Sequence, residues 1–364
     1  MRKASLSAKL SNTAKTVWFS LLAIFTSFLV GGIIIESLGY DAILAYKSLT
    51  LGSFISLRAI GDTLNKTAPI ILTGLSYSIA KRCGLINLGG EGQLYAGALA
   101  AILVSAYIEL QYPAIQTTLS LLCGFLCGAF VGVLVAILKY KFGATELITT
   151  IMLNYSIRYF CAYLVSDPLR NRDNVYNAPQ SKPVLDAVKL PVIAQGTRFH
   201  IGILIALVMI LFYWVFLWKT SRGYKMRVVG LNRDAAEYAG IEIPSNGMLA
   251  MFLAGGFAGL AGAIELLGIQ YILRDGLAST IGFDGVAVAL LGNTSPVGIV
   301  LSGLLFGMIR NGSNTMEIVS GVTSEMTYII QGLIILFVVG RDMFRADWLR
   351  SLVAKVKNSA RKRK

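Results

Sequence analysis

Long blocks of apolar residues, separated by short polar stretches, follow one another along nearly the whole chain. A helix that crosses a bilayer needs about 20 apolar residues, whereas a surface helix shows them only every three or four positions. The apolar blocks lie at residues 17–35, 67–80, 89–108, 114–138, 147–165, 200–218, 247–269, 284–294, 296–309 and 324–340. We therefore predict an all-α polytopic membrane helix bundle with about ten transmembrane helices, although the blocks within 284–309 are short for two full spans.

This pattern divides the chain into three predicted segments. Residues 1–16 are basic and form a cytoplasmic N-terminal segment, residues 17–340 form the transmembrane domain, and residues 341–364 form a basic cytoplasmic tail. The block at 17–35 resembles the core of a signal peptide. It is longer than such cores usually are, however, and no small-residue cleavage pattern follows it, so we interpret it as an uncleaved span.

Three polar segments are too long to be simple turns. Residues 166–199 contain half of the eight prolines, which excludes a span and predicts an ordered external loop. Residues 36–66 are mildly amphipathic and predict an external helix on the membrane surface. Residues 219–247 are predicted to form a long cytoplasmic loop.

Composition and charge agree with a membrane location. Hydrophobic types make up 55% of the 364 residues and charged types 14%, whereas soluble proteins have about 25% charged residues. Most of the 33 lysines and arginines fall at the termini and in the loops on the same side, which the positive-inside rule assigns to the cytoplasm. The net charge of +14 then reflects topology and contact with anionic membrane lipid. No nucleic-acid partner is expected, because the basic tail lacks interleaved aromatic residues.

Signatures of catalysis are missing from the sequence. There is no Gly-Lys dipeptide and hence no Walker A loop, and the only histidine is His200. No Gly-x-Ser-x-Gly nucleophile motif occurs. The four cysteines lie in or beside apolar stretches and are interpreted as packing residues. We therefore expect no catalytic residue, no metal site and no enzyme activity, and any ATP must be bound by another chain.

The densest polar patch within apolar sequence is residues 84–93, GLINLGGEGQ. Its glycines permit a broken helix whose free backbone groups, together with Asn87, Glu91 and Gln93, line a watery path. Alternatively, the patch is a cytoplasmic turn in which Glu91 caps the helix that follows. The residues alone leave both interpretations open.

Short motifs of the first half recur in the second half in the same order. Gly143-Ala144-Thr145-Glu146 has a counterpart in residues 321–325, GVTSE, and Gly90-Glu91-Gly92 has a weaker one in residues 283–285, FDG. The predicted topology places the matching spans in opposite directions. We therefore predict an inverted internal repeat, a common plan for transport proteins.

Several ionisable or amide side chains fall at membrane depth or at the ends of predicted spans. They are Glu146, Asn154, Arg158, Glu265, Asp284 and Glu325. A charge is costly in lipid, so each must face protein or water. Either they line a polar pathway for a hydroxylated solute, or they pair with one another and fix helix packing. For the predicted pathway we select Asn87, Glu91, Gln93, Glu146, Asn154, Asp284 and Glu325.

Residues 67–101 resemble the permease subunits of ATP-binding-cassette importers in the branched-chain amino acid and ribose class. The form GLINLGGEGQ is similar to the nucleoside and simple-sugar branch, which shows Gly-Leu-x-Asn-Ile-Gly-x-Glu-Gly-Gln, with Leu88 here in place of the isoleucine. The resemblance extends from about Tyr40 to Gly340. It implies a permease that moves a small hydroxylated solute, most simply a nucleoside and alternatively ribose or another simple sugar.

Residues 221–241 resemble the segment through which this family couples to its ATPase. The matching positions are Arg227, Gly230, Asn232, Ala235, Ala236, Ala239 and Gly240. Asn232 is suited to capping a helix that Gly240 ends. We expect the small face of Ala235, Ala236 and Ala239 to dock into a groove of the ATPase.

The resemblance also implies partners and a location. The partners are an ATPase subunit that binds ATP and magnesium, a second homologous permease and an external lipid-anchored solute-binding protein. The location is a bacterial cytoplasmic (inner) membrane with both termini in the cytoplasm. An ion-coupled secondary transporter is the alternative, since inverted repeats and membrane acids suit it too. A membrane-embedded enzyme is a third class, but it lacks a nucleophile and base. The coupling helix favours the importer.

Overall fold

The structure is a computed structural model that describes residues 2–172, 178–194, 196–277 and 280–345, with the side chains of 2–17 and 341–345 left aside. The α-helices are α1 Arg2–Ser37, α2 Ala42–Phe54, α3 Leu57–Arg82, α4 Gly90–Tyr107, α5 Pro113–Phe142, α6 Glu146–Ser166, α7 Gly202–Lys219, α8 Ser221–Leu231, α9 Arg233–Tyr238, α10 Ile243–Glu265, α11 Ile281–Leu291, α12 Pro296–Ser320 and α13 Glu325–Arg345. Extended pairing in the described ranges is limited to isolated bridges, so the predicted all-α class is confirmed.

The chain forms two compact units, one of residues 1–49 with 313–364 and one of residues 50–312. In the first unit, α1 packs against α13. A Cβ atom on Gly31 would lie 2.9 Å from Cγ1 of Ile330, so this contact requires a glycine. The predicted segment boundaries at 16 and 340 stay predictions, and most of the predicted basic tail, from residue 346 onward, lies outside the described residues.

Helix α10 is the centre of the second unit and is buried along almost its whole length. It packs against α3, α4 and α5, and its contacts with α4 and α5 include glycines that bring the backbones together. A Cβ atom on Gly97 would lie 2.1 Å from the carbonyl oxygen of Gly259, and one on Gly128 would lie 2.4 Å from that of Gly255. Helices in membranes associate through such small-residue contacts, because lipid supplies no hydrophobic drive between them.

The predicted apolar blocks all fall on helices, but they differ in length from the helices that contain them. Within the described ranges, four helical stretches are long and apolar enough to cross a membrane, or five if the bent pair of α2 and α3 is one span. Helix α11 has 11 residues, about 16 Å, and therefore crosses only part of a 30 Å hydrocarbon core. Helix α12 is longer than its predicted block and runs on to Ser320. The chain is a polytopic helix bundle, and the count of ten spans stays a prediction.

Helices α2 and α3 meet at an angle of 91°. Ser56 caps α3 by accepting a hydrogen bond from the backbone N–H of Ala59 at 3.1 Å. Residues 57–66 are therefore the first turns of the long helix α3. The prediction of one helix over 36–66 is wrong, because α2 ends at Phe54 and α3 begins at Leu57, whereas the placement of this segment on the membrane surface stays a prediction.

The proline-rich segment is ordered where it is described, as predicted. It contains a 3-10 turn at Asp186–Val188 and lies against the backbone that follows α10. Ser181 donates its backbone N–H to the carbonyl of Leu273 at 3.0 Å, and Leu190 donates to that of Leu267 at 3.0 Å. We call the side of the second unit that carries residues 178–201 the loop end, and the side that carries α8 and α9 the α8–α9 end.

The repeated motifs occupy matching local structures. Gly143 ends α5 in the left-handed conformation, and Glu146 begins α6. Gly321 has the same left-handed conformation after α12, and Glu325 begins α13. A left-handed glycine terminates a helix without the strain that a Cβ atom would add. This local match supports the repeat, while its inverted relation remains a prediction.

Candidate functional site

Two helices, α4 and α11, begin face to face inside the second unit. A Cβ atom on Gly282, near the start of α11, would lie 2.3 Å from the backbone nitrogen of Glu91, near the start of α4. Helix α4 then runs to the loop end, where Leu185 donates to the carbonyl of Ser105 at 3.3 Å. The chain beyond α11 runs to the α8–α9 end, where the Thr294 carbonyl accepts from Arg82 at 3.2 Å. Glu91 and Asp284 are therefore neighbours at the first turns of two diverging helices.

The depth of this meeting point follows from α6. Asn154 lies eight residues beyond Glu146, the first residue of α6, and hence about 12 Å along the helix. The Asn154 side chain accepts from the backbone N–H of Gly92 at 2.8 Å and donates to the carbonyl of Leu88 at 2.8 Å. The start of α4 is thus near the middle of the bundle, where a broken helix is tolerated only if its backbone groups are satisfied.

The amide side chains of the polar patch bond to each other. Asn87 donates to Gln93 at 2.9 Å and accepts from it at 3.1 Å. Asn87 also donates to the Ser76 hydroxyl at 3.0 Å and accepts from the backbone N–H of Gly89 at 3.0 Å. Both amides are buried, at 1% and 0% exposure. They and Asn154 hold residues 87–93 in place, and they present little polar surface to a solute.

Glu91 differs from these amides because its carboxylate is left without a partner. It is half-buried, and it accepts no hydrogen bond from any residue that the structure describes. The positive charges of Arg158 and Arg310 act on it. Of the predicted pathway residues at the starts of α4 and α11, Glu91 is therefore the one whose side chain has hydrogen-bonding capacity to offer.

Arg158 and Asp275 form an ion pair beside Glu91. Arg158 donates from Nε to Oδ1 of Asp275 at 3.0 Å and from Nη2 to Oδ2 at 3.5 Å. The backbone N–H of Gly276 donates to the Tyr95 hydroxyl at 3.1 Å, which ties this loop to α4. Arg158 lies one turn beyond Asn154 on the face of α6 that packs against α4, yet 42% of its side chain is exposed. The pair is therefore accessible from outside the unit.

A second group of charges is buried behind the first. Arg310 donates from Nη1 to Oδ2 of Asp284 at 2.9 Å, and Asp284 is 5% exposed. Lys66 donates to the Arg310 carbonyl at 3.3 Å. Glu265, also 5% exposed, accepts from Gln270 at 3.0 Å. This group thus contains one ion pair, Arg310 with Asp284, and two further charged side chains, Lys66 and Glu265, which bond to neutral groups.

Two predicted pathway acids are not among the residues that form this site. Glu146 forms an ion pair with Lys139 near the α8–α9 end. Glu325 is exposed at the start of α13, in the other unit. Among the described residues there is also no group of three or more His, Cys, Asp or Glu side chains that could hold a metal ion.

The predicted coupling segment folds as a short capped helix. Asn232 accepts from the backbone N–H of Ala235 at 3.0 Å and begins α9. Gly240 follows α9 in the left-handed conformation. The predicted cap and terminator are therefore confirmed.

The preceding helix α8 is joined closely to the turn before the polar patch. A Cβ atom on Gly230 would lie 2.2 Å from the carbonyl oxygen of Arg82. Arg82 and Arg227 both stack on the Trp218 ring, at 5.4 and 5.8 Å from its centroid, as expected for cation–π contacts. Gly230 and Arg227 thus pack within this chain.

The predicted exposed face of small residues needs a correction. Ala235 and Ala239 are exposed, but Ala236 is fully buried against its own unit. The most exposed apolar side chains here are Leu231 at 87% and Tyr238 at 97%. A stripe of alanines does not reveal whether its partner is the same chain or another, so the sequence could not make this distinction.

The sequence did not single out Lys66, Asp275 and Arg310 as site residues. Lys66 fell in the predicted surface helix over 36–66 and Arg310 in the loop after the apolar block at 296–309, whereas both lie within long helices. The helical spacing of small and polar residues around Lys66 and Arg310 could have shown that each lies within a helix, because each continues a face of such residues. Asp275 gave no local signal, since its partner Arg158 is 117 positions away.

Comparison with known proteins decides the class of transporter. The family model described as "Branched-chain amino acid transport system / permease component" matches residues 59–339, most of the chain. The chain belongs to this permease family. It is therefore a multi-pass membrane subunit of an ATP-binding-cassette importer and not an enzyme, and this excludes the ion-coupled alternative.

Individual relatives match this permease over nearly their whole length. The guanosine ABC transporter permease NupP of Bacillus subtilis is 37% identical over 89% of this chain and 93% of its own. The nucleoside ABC transporter permease NupB of Lactococcus lactis is 32% identical over 97% and 99%. The glucose ABC transporter permease TsgB13 of Haloferax volcanii is 31% identical over 89% and 87%. No solved structure matches the permease.

Proposed function

We propose that this permease imports a nucleoside. The supporting observation is the match along almost the full chain to two permeases named for guanosine and for nucleosides. The site is compatible with such a solute, because Glu91 offers acceptors and Arg158 offers donors to a neutral molecule that carries both kinds of group. A simple sugar is the second candidate, since a glucose permease is similar at 31% identity.

The test is uptake by the complete importer. Purified permease is reconstituted with its partner subunits, and ATP-dependent uptake of labelled guanosine, adenosine, ribose and glucose is measured side by side. We expect uptake of at least one nucleoside and none of the sugars. Uptake of sugars alone would replace the nucleoside assignment with the second candidate.

The proposed assembly contains a cytosolic ATPase that binds ATP and magnesium, a second homologous permease and a lipid-anchored solute-binding protein. This chain contributes to the ATPase the exposed side chains on either side of the α8–α9 junction and at the end of α9. Leu231, the last residue of α8, and Tyr238, the last of α9, are suited to this, because large exposed apolar side chains fit a groove of a partner. Ala236 contributes indirectly by holding α9 on the unit.

Tyr238→Arg should remove the ATPase from the complex while the permease remains folded. Co-purification of the ATPase and ATP-dependent uptake are measured together. Ser221→Arg, at an exposed position at the start of α8, is the matched control and should retain both. Retained co-purification in Tyr238→Arg would refute this docking site.

The proposed orientation places both termini and the α8–α9 end in the cytoplasm of a bacterial cell. In a variant without the four native cysteines, Ala187→Cys should react with an impermeant thiol reagent in intact cells. Ser221→Cys should react only after the cells are opened. Both positions are exposed, so the opposite labelling pattern would reverse the orientation.

A further inference from the structure

The fold leaves hydrogen-bonding capacity unused at Glu91 and Arg158. Glu91 has two carboxylate oxygens that accept from none of the described residues. Arg158 has five N–H donors, of which it gives one from Nε and one from Nη2 to Asp275. Three N–H donors of Arg158 remain without an acceptor in the described part of the chain. Glu91 is half-buried and the Arg158 side chain is 42% exposed, so acceptors and donors that the described residues leave free lie side by side and are accessible to a ligand.

Packing of α4 against α6 brings these two groups together. Glu91 and Tyr95 are four residues apart and therefore share a face of α4. The same relation holds for Asn154 and Arg158 on α6. Asn154 bonds to Gly92 at 2.8 Å, and the thiol of Cys161 lies 3.9 Å from the Tyr95 carbonyl oxygen. Arg158 lies between these two contacts and is thus placed opposite the turn from Glu91 to Tyr95.

We propose that Glu91 and Arg158 bind the base of a guanine-type purine nucleoside, and that Asp275 positions Arg158 for this contact. The proposal rests on the nucleoside function proposed above and names the kind of base. Guanine carries two adjacent N–H donors, which one carboxylate accepts in a bidentate pair. Its O6 and N7 acceptors suit a guanidinium, the commonest specific contact that arginine makes with guanine. Adenine instead has an amino donor beside a ring acceptor and suits a side-chain amide.

Asp275 is itself fixed by the loop around it. Its Oδ1 accepts from the backbone N–H of Gly276 at 2.9 Å, and the same N–H also donates to the Tyr95 hydroxyl. The ion pair therefore holds the guanidinium plane of Arg158 relative to α4. Asp275 touches Arg158 and not the solute, so its removal should weaken solute binding through the orientation of Arg158.

The experiment measures selectivity, because a structural defect lowers uptake of all solutes alike. Uptake of guanosine and adenosine by the complete importer is measured for the unmodified protein, for Glu91→Gln and for Glu91→Asp. The same solute-binding protein serves every variant, so a change in the guanosine-to-adenosine ratio arises in the permease. The matched control is Glu146→Gln, the same chemical change at the acid paired with Lys139 near the α8–α9 end.

Glu91→Gln should lower the guanosine-to-adenosine uptake ratio about tenfold. The NH2 group of the new amide would face an N–H donor of guanine, whereas the amide matches the adjacent donor and acceptor of adenine. Glu91→Asp should retain preference for guanosine, and Glu146→Gln should leave the ratio unchanged. Asp275→Asn should raise KM for guanosine more than it lowers kcat. An unchanged ratio in Glu91→Gln, with nucleoside uptake intact in the unmodified protein, overturns the base contact. Absence of nucleoside uptake in the unmodified protein overturns the proposed function instead.

Discussion

The starts of α4 and α11 carry related motifs and lie next to each other, but their acids have different surroundings. Glu91 is half-buried and accepts no hydrogen bond from the described residues. Asp284 is 5% exposed and bonds to Arg310 at 2.9 Å. The backbone at the start of α4 is held by the Asn154 side chain, whereas at α11 the Thr73 hydroxyl reaches the Ile281 carbonyl at 3.1 Å. One half of the repeat thus presents its acid, and the other half uses its acid to hold helices together.

This difference shows how equivalent positions in two related halves of a chain can have different roles. A helix that begins near the middle of a membrane needs hydrogen-bond partners for its free backbone groups. A charged side chain there must be paired or in contact with water. At α11 a cation from α12 satisfies the acid. At α4 a neutral amide from α6 satisfies the backbone, and the acid remains available. The asymmetry predicts that equivalent substitutions affect stability at one start and transport at the other.

The largest effect on stability is expected from Arg310→Met. This change leaves Asp284 charged and unpaired in a buried place, which costs about 3–5 kcal/mol when one partner of a buried ion pair is removed. The thermal unfolding midpoint of the purified permease in detergent should fall strongly. Asp284→Asn combined with Arg310→Met removes both charges and should restore much of the loss. If the double variant is no better than the single one, the pair does not stabilise the fold as described.

A smaller loss of stability is expected from Asn154→Leu. This change removes two hydrogen bonds to backbone groups of the α4 start and leaves them unsatisfied, at about 1–3 kcal/mol for a buried group. Thr73→Val is the matched variant at α11 and should cost less, because the Thr73 hydroxyl also bonds within its own helix at 3.0–3.1 Å. Unfolding midpoints of both variants are compared. Equal losses would mean that the two starts are held alike.

Much of this contrast could be predicted from the sequence, but the pairing of charges could not. Hydrophobic blocks marked the helices, and the echo of Glu91 in Asp284 indicated two acids in equivalent places. The block at 296–309 ended where α12 turns polar, so Arg310 was assigned to a loop. Hydropathy reports the side that faces lipid, and it does not register a helix that continues with its polar side against protein.

The amides illustrate a second limit on what a sequence shows. Asn87, Gln93 and Asn154 were grouped with Glu91 because polar residues in an apolar context indicate either a path or a buried network. Their partners within the fold decide between these alternatives, and Asn154 reaches the patch from more than 60 positions away. Local motifs such as the Asn232 cap were predictable, since the cap and the N–H that it accepts from lie three residues apart.

The smallest effect on stability, and the one most informative about the comparison, is expected from Glu91→Gln. An acid in the first turn of a helix gains about 0.3–1 kcal/mol from the helix dipole, and Glu91 loses no hydrogen bond to a described residue when it becomes an amide. The unfolding midpoint should therefore change little, while guanosine uptake falls strongly. Asp284→Asn should show the reverse order, with a clear loss of stability, because it leaves Arg310 without its carboxylate. Protein level, ATPase co-purification and uptake are measured for both variants in parallel. If Glu91→Gln lowers stability as much as Asp284→Asn does, the two acids have the same structural task, and the distinction between a presented and a paired acid fails.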